Sequence, residues 1–390
     1  MRLKAGALQL VLFIGVLVCV LLMAFVLLIS TKNQFQAKQS VLISLIQKGQ
    51  ALPSTSSNTY WGLYEFSTQN PSYKNQEWKS QVLLGSSTDR ATALYLKDQN
   101  FPVVLAGDAK IYGDAHLPER GIKRGNIRGL SYQGDYLIYG QEKKSTKALP
   151  ALSPALKNQV EALFNGSLSG NRIHRLPAKL SVSFEEPAHL YESDVIVLER
   201  QKLNGHILIK ASQKIIIKPE ADLFGVVLIA PQIEIQSGVY GSFQAFASKH
   251  LSTGKQVELA YPSLLCVYDQ TVPSKETVPP VKLEIGEESN LRGSLLYLQK
   301  TASTKIDRNP DILIPETTII DGQVYCEDSL DLQGQVNGVV YTALFQTFQN
   351  GSNYVNHLFN GQINRSALPH QFAGIPIGNY NQKALVQWVD

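Results

Sequence analysis

The chain has 390 residues, 44% of them hydrophobic, with 36 Lys and Arg against 32 Asp and Glu. That is enough apolar material for a real core and too much for a disordered chain. Five of the basic residues (Arg2, Lys4, Lys32, Lys38 and Lys48) lie in residues 1–64, which hold no acid, so the rest is balanced at 31 against 32 and offers no basic stripe for nucleic acid.

Between Lys4 and Lys32 run twenty-seven uncharged residues, mostly Leu, Val, Ile, Phe and Ala. At about 1.5 Å per residue they make about 40 Å of helix, enough to cross a bilayer. The run is too long for a signal-peptide core, and Leu27-Leu28-Ile29-Ser30-Thr31 offers no small-x-small cleavage site, so an uncleaved single-pass signal-anchor is predicted. Val18 before Cys19 argues against a lipoprotein site. Arg2, Lys4 and a short tail place the N-terminus in the cytoplasm, with Lys32 and Lys38 on the far side, and put the body outside it. In such a compartment Cys266 and Cys326 either pair or remain buried thiols.

The helical pattern continues from Asn33 to Lys48 without Gly or Pro, and Phe35, Leu42, Leu45 and Ile46 form one stripe. Gly49 and Pro53 end it, giving a transmembrane or stalk helix over 1–50 and a linker over 51–59. Residues 60–150 read as a β-rich segment, with strands at 61–66, 93–96, 103–105 and 136–139. Val103 and Leu105 precede Gly113 by a spacing that recurs later, which predicts an early rung ahead of the main array. The Gly- and base-rich stretch 121–134 (Lys123, Arg124, Arg128) reads as a solvated turn series, since no flanking helix offers a phosphate site.

A short helix is predicted over 153–165. Ser153 is the N-cap, Pro154 takes the first position, Leu156, Val160, Leu163 and Phe164 make the stripe, and Gly166 stops it. Its expected role is to cap an open end of the following array, over 151–350. That array is an internal repeat: two apolar residues at i and i+2 precede a glycine in Ile215 and Ile217 to Gly225, Ile233 and Ile235 to Gly241, Leu283 and Ile285 to Gly293, Ile312 and Ile314 to Gly322, and Leu330 and Leu332 to Gly338. Val195 and Val197 to Gly205 extends it, and further apolar stretches follow at 226–229, 295–298 and 339–341. Units this short must stack to bury their apolar faces, so the expected fold is mainly β, a parallel β-helix or solenoid. Polar stretches at 269–280 and 299–310, with Pro273, Pro279, Pro280 and Pro310, read as excursions from its corners. Residues 351–390 lose the repeat and are expected to form a C-terminal cap.

Chemistry is sparse. The seven histidines (His116, His174, His189, His206, His250, His357 and His370) include no helical metal pair, and no Cys-x-x-Cys occurs. Gly166 to Gly170 has Leu168 where a nucleophile elbow needs serine. Glu327, Asp328 and Asp331 are the densest carboxylates, but alternate with Leu330 and Leu332 and read as the solvent face of a strand. Asn165, Asn350 and Asn364 head Asn-x-Ser sequons. No catalytic, cofactor or metal residues are assigned, and no cofactor is expected.

Two resemblances follow. The I-x-I strands and glycine turns, as in 214–226 and 311–323, resemble the bactofilin group of polymer-forming β-helical proteins over about 195–345, which implies a right-handed parallel β-helix and end-to-end assembly. Long corner loops and the large preceding segment depart from that group. Gly6 after Arg2 and Lys4, with the long helix of about 1–50, is similar to type IV pilin and pseudopilin stalks, although Val11 stands where those carry Glu. The expected function is that of a bacterial envelope scaffold or assembly protein, single-pass, touching membrane lipid through its helix and other proteins or itself through its body, with no nucleic-acid partner. The alternatives are a minor pilin-like subunit of a secretion or pilus system, which implies removal of residues 1–6, and a polysaccharide-acting β-helix enzyme.

Overall fold

The computed structural model describes residues 5–49, 59–70, 72–73, 76–77, 79–270, 281–301, 309–378 and 382–389. The linker expected over 51–59 falls outside these except for Thr59, and so do Pro273, Pro279 and Pro280. The chain divides into two units, residues 1–54 with 68–80 and residues 55–67 with 81–390.

The first unit is dominated by helix α1, Ala5–Gly49. Its segment Gln9–Val41, whose most apolar 18-residue window has a mean hydropathy of 3.3, is long and apolar enough to cross a membrane. Thr31 folds its hydroxyl back onto the carbonyls of Leu27 and Leu28, both at 3.0 Å, so the polar group is satisfied within the helix. Phe35 is exposed, and the side chains of Leu42, Leu45 and Ile46 lie outside the described residues.

The second unit is mainly β and is organised as three parallel ladders. The first stacks Ile209, Leu228, Ala245, Leu265, Leu295, Val324, Val340, Leu94 and Ala115 in one register. The second stacks Leu180, Leu203, Leu223, Gly241, Leu259, Leu291, Ile320, Val336, Ile363 and Ile111. The third stacks Ile196, Ile215, Ile233, Leu251, Leu283, Ile312, Leu330 and Phe345. All five apolar pairs of the sequence repeat thus begin on the third ladder. Apart from Gly241 and Leu180, these side chains all belong to one buried cluster, and each fully buried Leu or Ile contributes about 1.5–3 kcal/mol.

Three of the repeat glycines also stack, Gly293 on Gly322 on Gly338. A Cβ on Gly322 would stand 1.9 Å from the Gly293 carbonyl oxygen, and one on Gly338 only 1.7 Å from that of Gly322. Only glycine lets the backbones approach this closely.

Chain order and stacking order differ. The strand 103–106, expected ahead of the array, pairs instead through residues 104–106 with 357–359 on one side and through 103–105 with 122–124 on the other. Residues 94–96 pair with 340–342, and 110–112 with 362–364. The segment 94–144 therefore continues the ladders beyond the C-terminal rungs, and residues 357–364 carry the repeat further than its glycine spacing indicated. Residues 136–139 form no strand beyond a single bridge from Tyr139 to Tyr112. The edge strands Ile122–Arg124 and Glu142–Lys144 expose Lys123, Arg124, Lys143 and Lys144, charges that discourage edge-to-edge aggregation.

Helix α2, Pro154–Asn165, forms as predicted, with Ser153 Oγ accepting from the Leu156 amide at 3.3 Å. It covers a side rather than an end. Leu156, Val160 and Leu163 pack with Leu208, Val227, Phe246, Leu264 and Leu296 on the outer face of the first ladder. Lys210 donates to the carbonyls of Leu163 and Phe164, while Lys157 pairs with Glu327, so the helix crosses several rungs. Its stripe needed an apolar surface, and the outer first ladder supplied one along its length. The same face carries an antiparallel sheet in which Ser80–Ser87 pairs with Ala373–Gly374 and Lys383–Val389, and Tyr60–Trp61 pairs with residues 64–65. The ion pair Lys383–Glu65, at 2.8 Å and largely buried, ties the C-terminal strand into that layer.

Candidate functional site: a buried carboxylate and lysine corner

Where the first ladder turns into the third, consecutive rungs bring several ionisable groups together. Asp269 ends the strand Glu258–Asp269, Lys282 precedes Leu283–Glu284, Tyr297 lies in Asn290–Gln299, Asp311 precedes Ile312–Ile314, and Ser329 lies in Ile319–Leu332. The backbone fixes their spacing: Lys300 donates its amide to the Asp269 carbonyl at 2.9 Å, and Lys282 donates to that of Asp311 at 3.1 Å.

The side chains then connect. Lys282 Nζ lies 3.0 Å from Asp269 Oδ2, with both side chains 11% exposed. Tyr297 donates to the same Asp269 oxygen at 3.3 Å, and the neighbouring Asp311 acts on its phenol electrostatically. Asp311 accepts from the Ser329 hydroxyl at 2.7 Å and the Ser329 amide at 3.1 Å. Burial pushes the Asp311 carboxyl above the usual carboxylate range, against the lowering effect of the Ser329 hydrogen bonds and the Lys282 charge. Burial, reinforced by Asp311 and Asp269, likewise pushes the Tyr297 phenol far up. The corner thus holds an amine, two carboxyls and a phenol in a nearly dry setting.

The three carboxylates read from sequence as a solvent face do not behave alike. Asp331 is only 5% exposed, with Gln333 and Thr347 donating to it at 3.1 and 3.3 Å, and burial pushes its carboxyl up to about 7. The expectation of a solvated face fails there because Thr347 of the adjoining strand and Gln333 sit against the carboxylate. Glu327 accepts from the Gln299 amide at 2.8 Å, and Asp328 from the Gln299 side chain at 2.9 Å. Both therefore hold strand neighbours, and the trio does not converge on one open face.

Cys266 and Cys326 are buried free thiols. Cys266 belongs to the outer cluster and Cys326 to the interior one, two rungs apart, so they point away from each other. Arg124 sits 5.6 Å from the centre of the Tyr132 ring and donates to the Asp135 carbonyl, and Arg128 donates to Gln349, so these bases support turns. Among the described residues no cluster of His, Cys, Asp or Glu is arranged to hold a metal ion. The lysine corner was invisible to motif reading because its members lie on three successive rungs, and only the polar interruptions at 269–280 and 299–310 marked its place. No protein-family model, curated protein or solved structure matches the chain.

Proposed function

We propose that the chain is a membrane-anchored scaffold: the N-terminal helix crosses the bilayer once with its N-terminus in the cytoplasm, and the body is a right-handed parallel β-helix that serves envelope assembly outside it. The observation that carries this reading is the trio of in-register parallel ladders around a filled apolar interior. Each turn of the chain rests on the next, as stacking of short units requires. A void of about 10 Å³ among Leu259, Leu265, Leu291 and Leu295 is no larger than one water needs, so the interior there is packing and not a lumen. Adding a C-terminal epitope and treating intact spheroplasts with protease tests the topology: loss of the epitope is expected, and its full protection refutes an outward body.

A second reading, a minor pilin-like subunit, draws on the continuity of α1 from Ala5 through its polar half to Gly49. It requires removal of residues 1–6. Sequencing the N-terminus of the membrane-purified protein decides between the two, an intact Met1 end favouring the plain anchor.

A further inference from the structure

Lys282 and Asp269 flank residues 270–281 and meet across the base of that segment, at 3.0 Å and almost out of solvent. Two opposite charges held this way forfeit hydration, and their mutual attraction repays it only in part. A neutral link between the same atoms removes that cost. Nucleophile and carboxyl are already at contact distance, a second carboxyl lies beside them, and the site excludes the water that ordinarily opposes condensation.

We propose that Lys282 and Asp269 condense into an intramolecular isopeptide bond, with Asp311 as the proton carrier. The proton of the Lys282 ammonium passes to the Asp269 carboxylate, leaving a neutral amine and a neutral acid. The Nζ lone pair then attacks Asp269 Cγ, forming the C–N bond. The nitrogen gives a second proton to Asp311, which returns one to the departing hydroxyl of Asp269, and as the C–O bond breaks a single water leaves. Three hydrogens on nitrogen become one on the amide and two on water, with no change in oxidation state and no cofactor.

Tyr297 is the positioning residue, since its hydroxyl holds the Asp269 carboxyl. Burial keeps the Asp311 carboxyl neutral over a wider pH range than an exposed aspartate, which suits a group that must both give and take a proton. The product clamps residues 269 and 282 covalently.

Peptide mapping of the full-length purified protein tests this directly. Trypsin cleaves after Lys255, Lys275 and Arg292, so an unlinked chain yields residues 256–275 and, after a further cut at Lys282, 276–282 and 283–292. The linked chain is expected to give one branched peptide joining 256–275 to 276–292, lighter by one water than the sum of its parts, because an acylated Lys282 resists trypsin. The substitution Lys282→Arg keeps the charge and should abolish the branched peptide, while Asp311→Asn should lower its yield at least tenfold. Quantitative recovery of the separate wild-type peptides overturns the proposal without reference to any variant, and an undiminished yield in Asp311→Asn overturns the role given to that carboxyl.

Discussion

The first and third ladders are assembled from the same rungs, yet they obey different sequence rules, and the strand Asp222–Ile235 contains both. Residues 226–230 are all buried, whereas 231–235 alternate between shielded and partly exposed. The third ladder buries one face and leaves Lys214, Glu234 and His250 toward solvent. The first is covered on both, inside by the ladder core and outside by α2 and the antiparallel sheet, so its outer column runs Ile229, Phe246, Cys266, Leu296, Tyr325 and Tyr341. A continuous apolar run therefore marks a wall with a second layer upon it, and alternation marks a wall facing water.

Substitutions on the two walls should differ accordingly. The largest effect is expected for Phe246→Ala, which empties a fully buried outer site on the first ladder and should cost about 3–5 kcal/mol by chemical denaturation. If it costs less than about 1 kcal/mol, the outer layer is not packed as described. Gly322→Ala comes next, at about 3 kcal/mol, because the added methyl meets the Gly293 backbone, which cannot swing aside.

Asp331 gives a pH-dependent contrast. Its carboxyl titrates near 7 when folded and near the ordinary carboxylate value when unfolded, so the unfolded chain binds fewer protons between about pH 4 and 7. Stability from this group is full at the acid end and lost as pH rises through 7, by up to about 4 kcal/mol. Asp331→Asn should flatten that part of the Tm-against-pH curve relative to the wild type; an unchanged slope would place the charge elsewhere. The smallest effect is expected on the wet wall, where Glu234→Ala breaks the partly exposed pair with Lys214 at 2.6 Å and should cost less than about 1 kcal/mol.

Much of this was legible in the sequence. Ile215 with Ile217 and Ile312 with Ile314 declare a one-sided strand by spacing alone, and Ser153 with Pro154 declares the start of α2. What spacing could not give is which strands neighbour which. Residues 103–105 look like a rung preceding the rest, but their partners, 357–358, stand some 250 positions away. Asp331 misled for a related reason: alternation with Leu330 and Leu332 predicts an outward side chain, and it does face outward, but against Thr347 of the adjoining strand and not against water. The lysine corner was the least legible part, since stretches of unlike length separate its members in the sequence and no local pattern links them.

The placement of residues 94–144 has a consequence for biogenesis. A ribosome delivers these strands long before residues 335–364 to which they dock, so during synthesis and any passage across a membrane they have only one another to pair with, while the chain from Asn171 onward can already build rung upon rung. Completion is thus reserved for the last-made part of the protein. A product truncated before that part would leave its early strands exposed, a state that quality-control proteases are well suited to find.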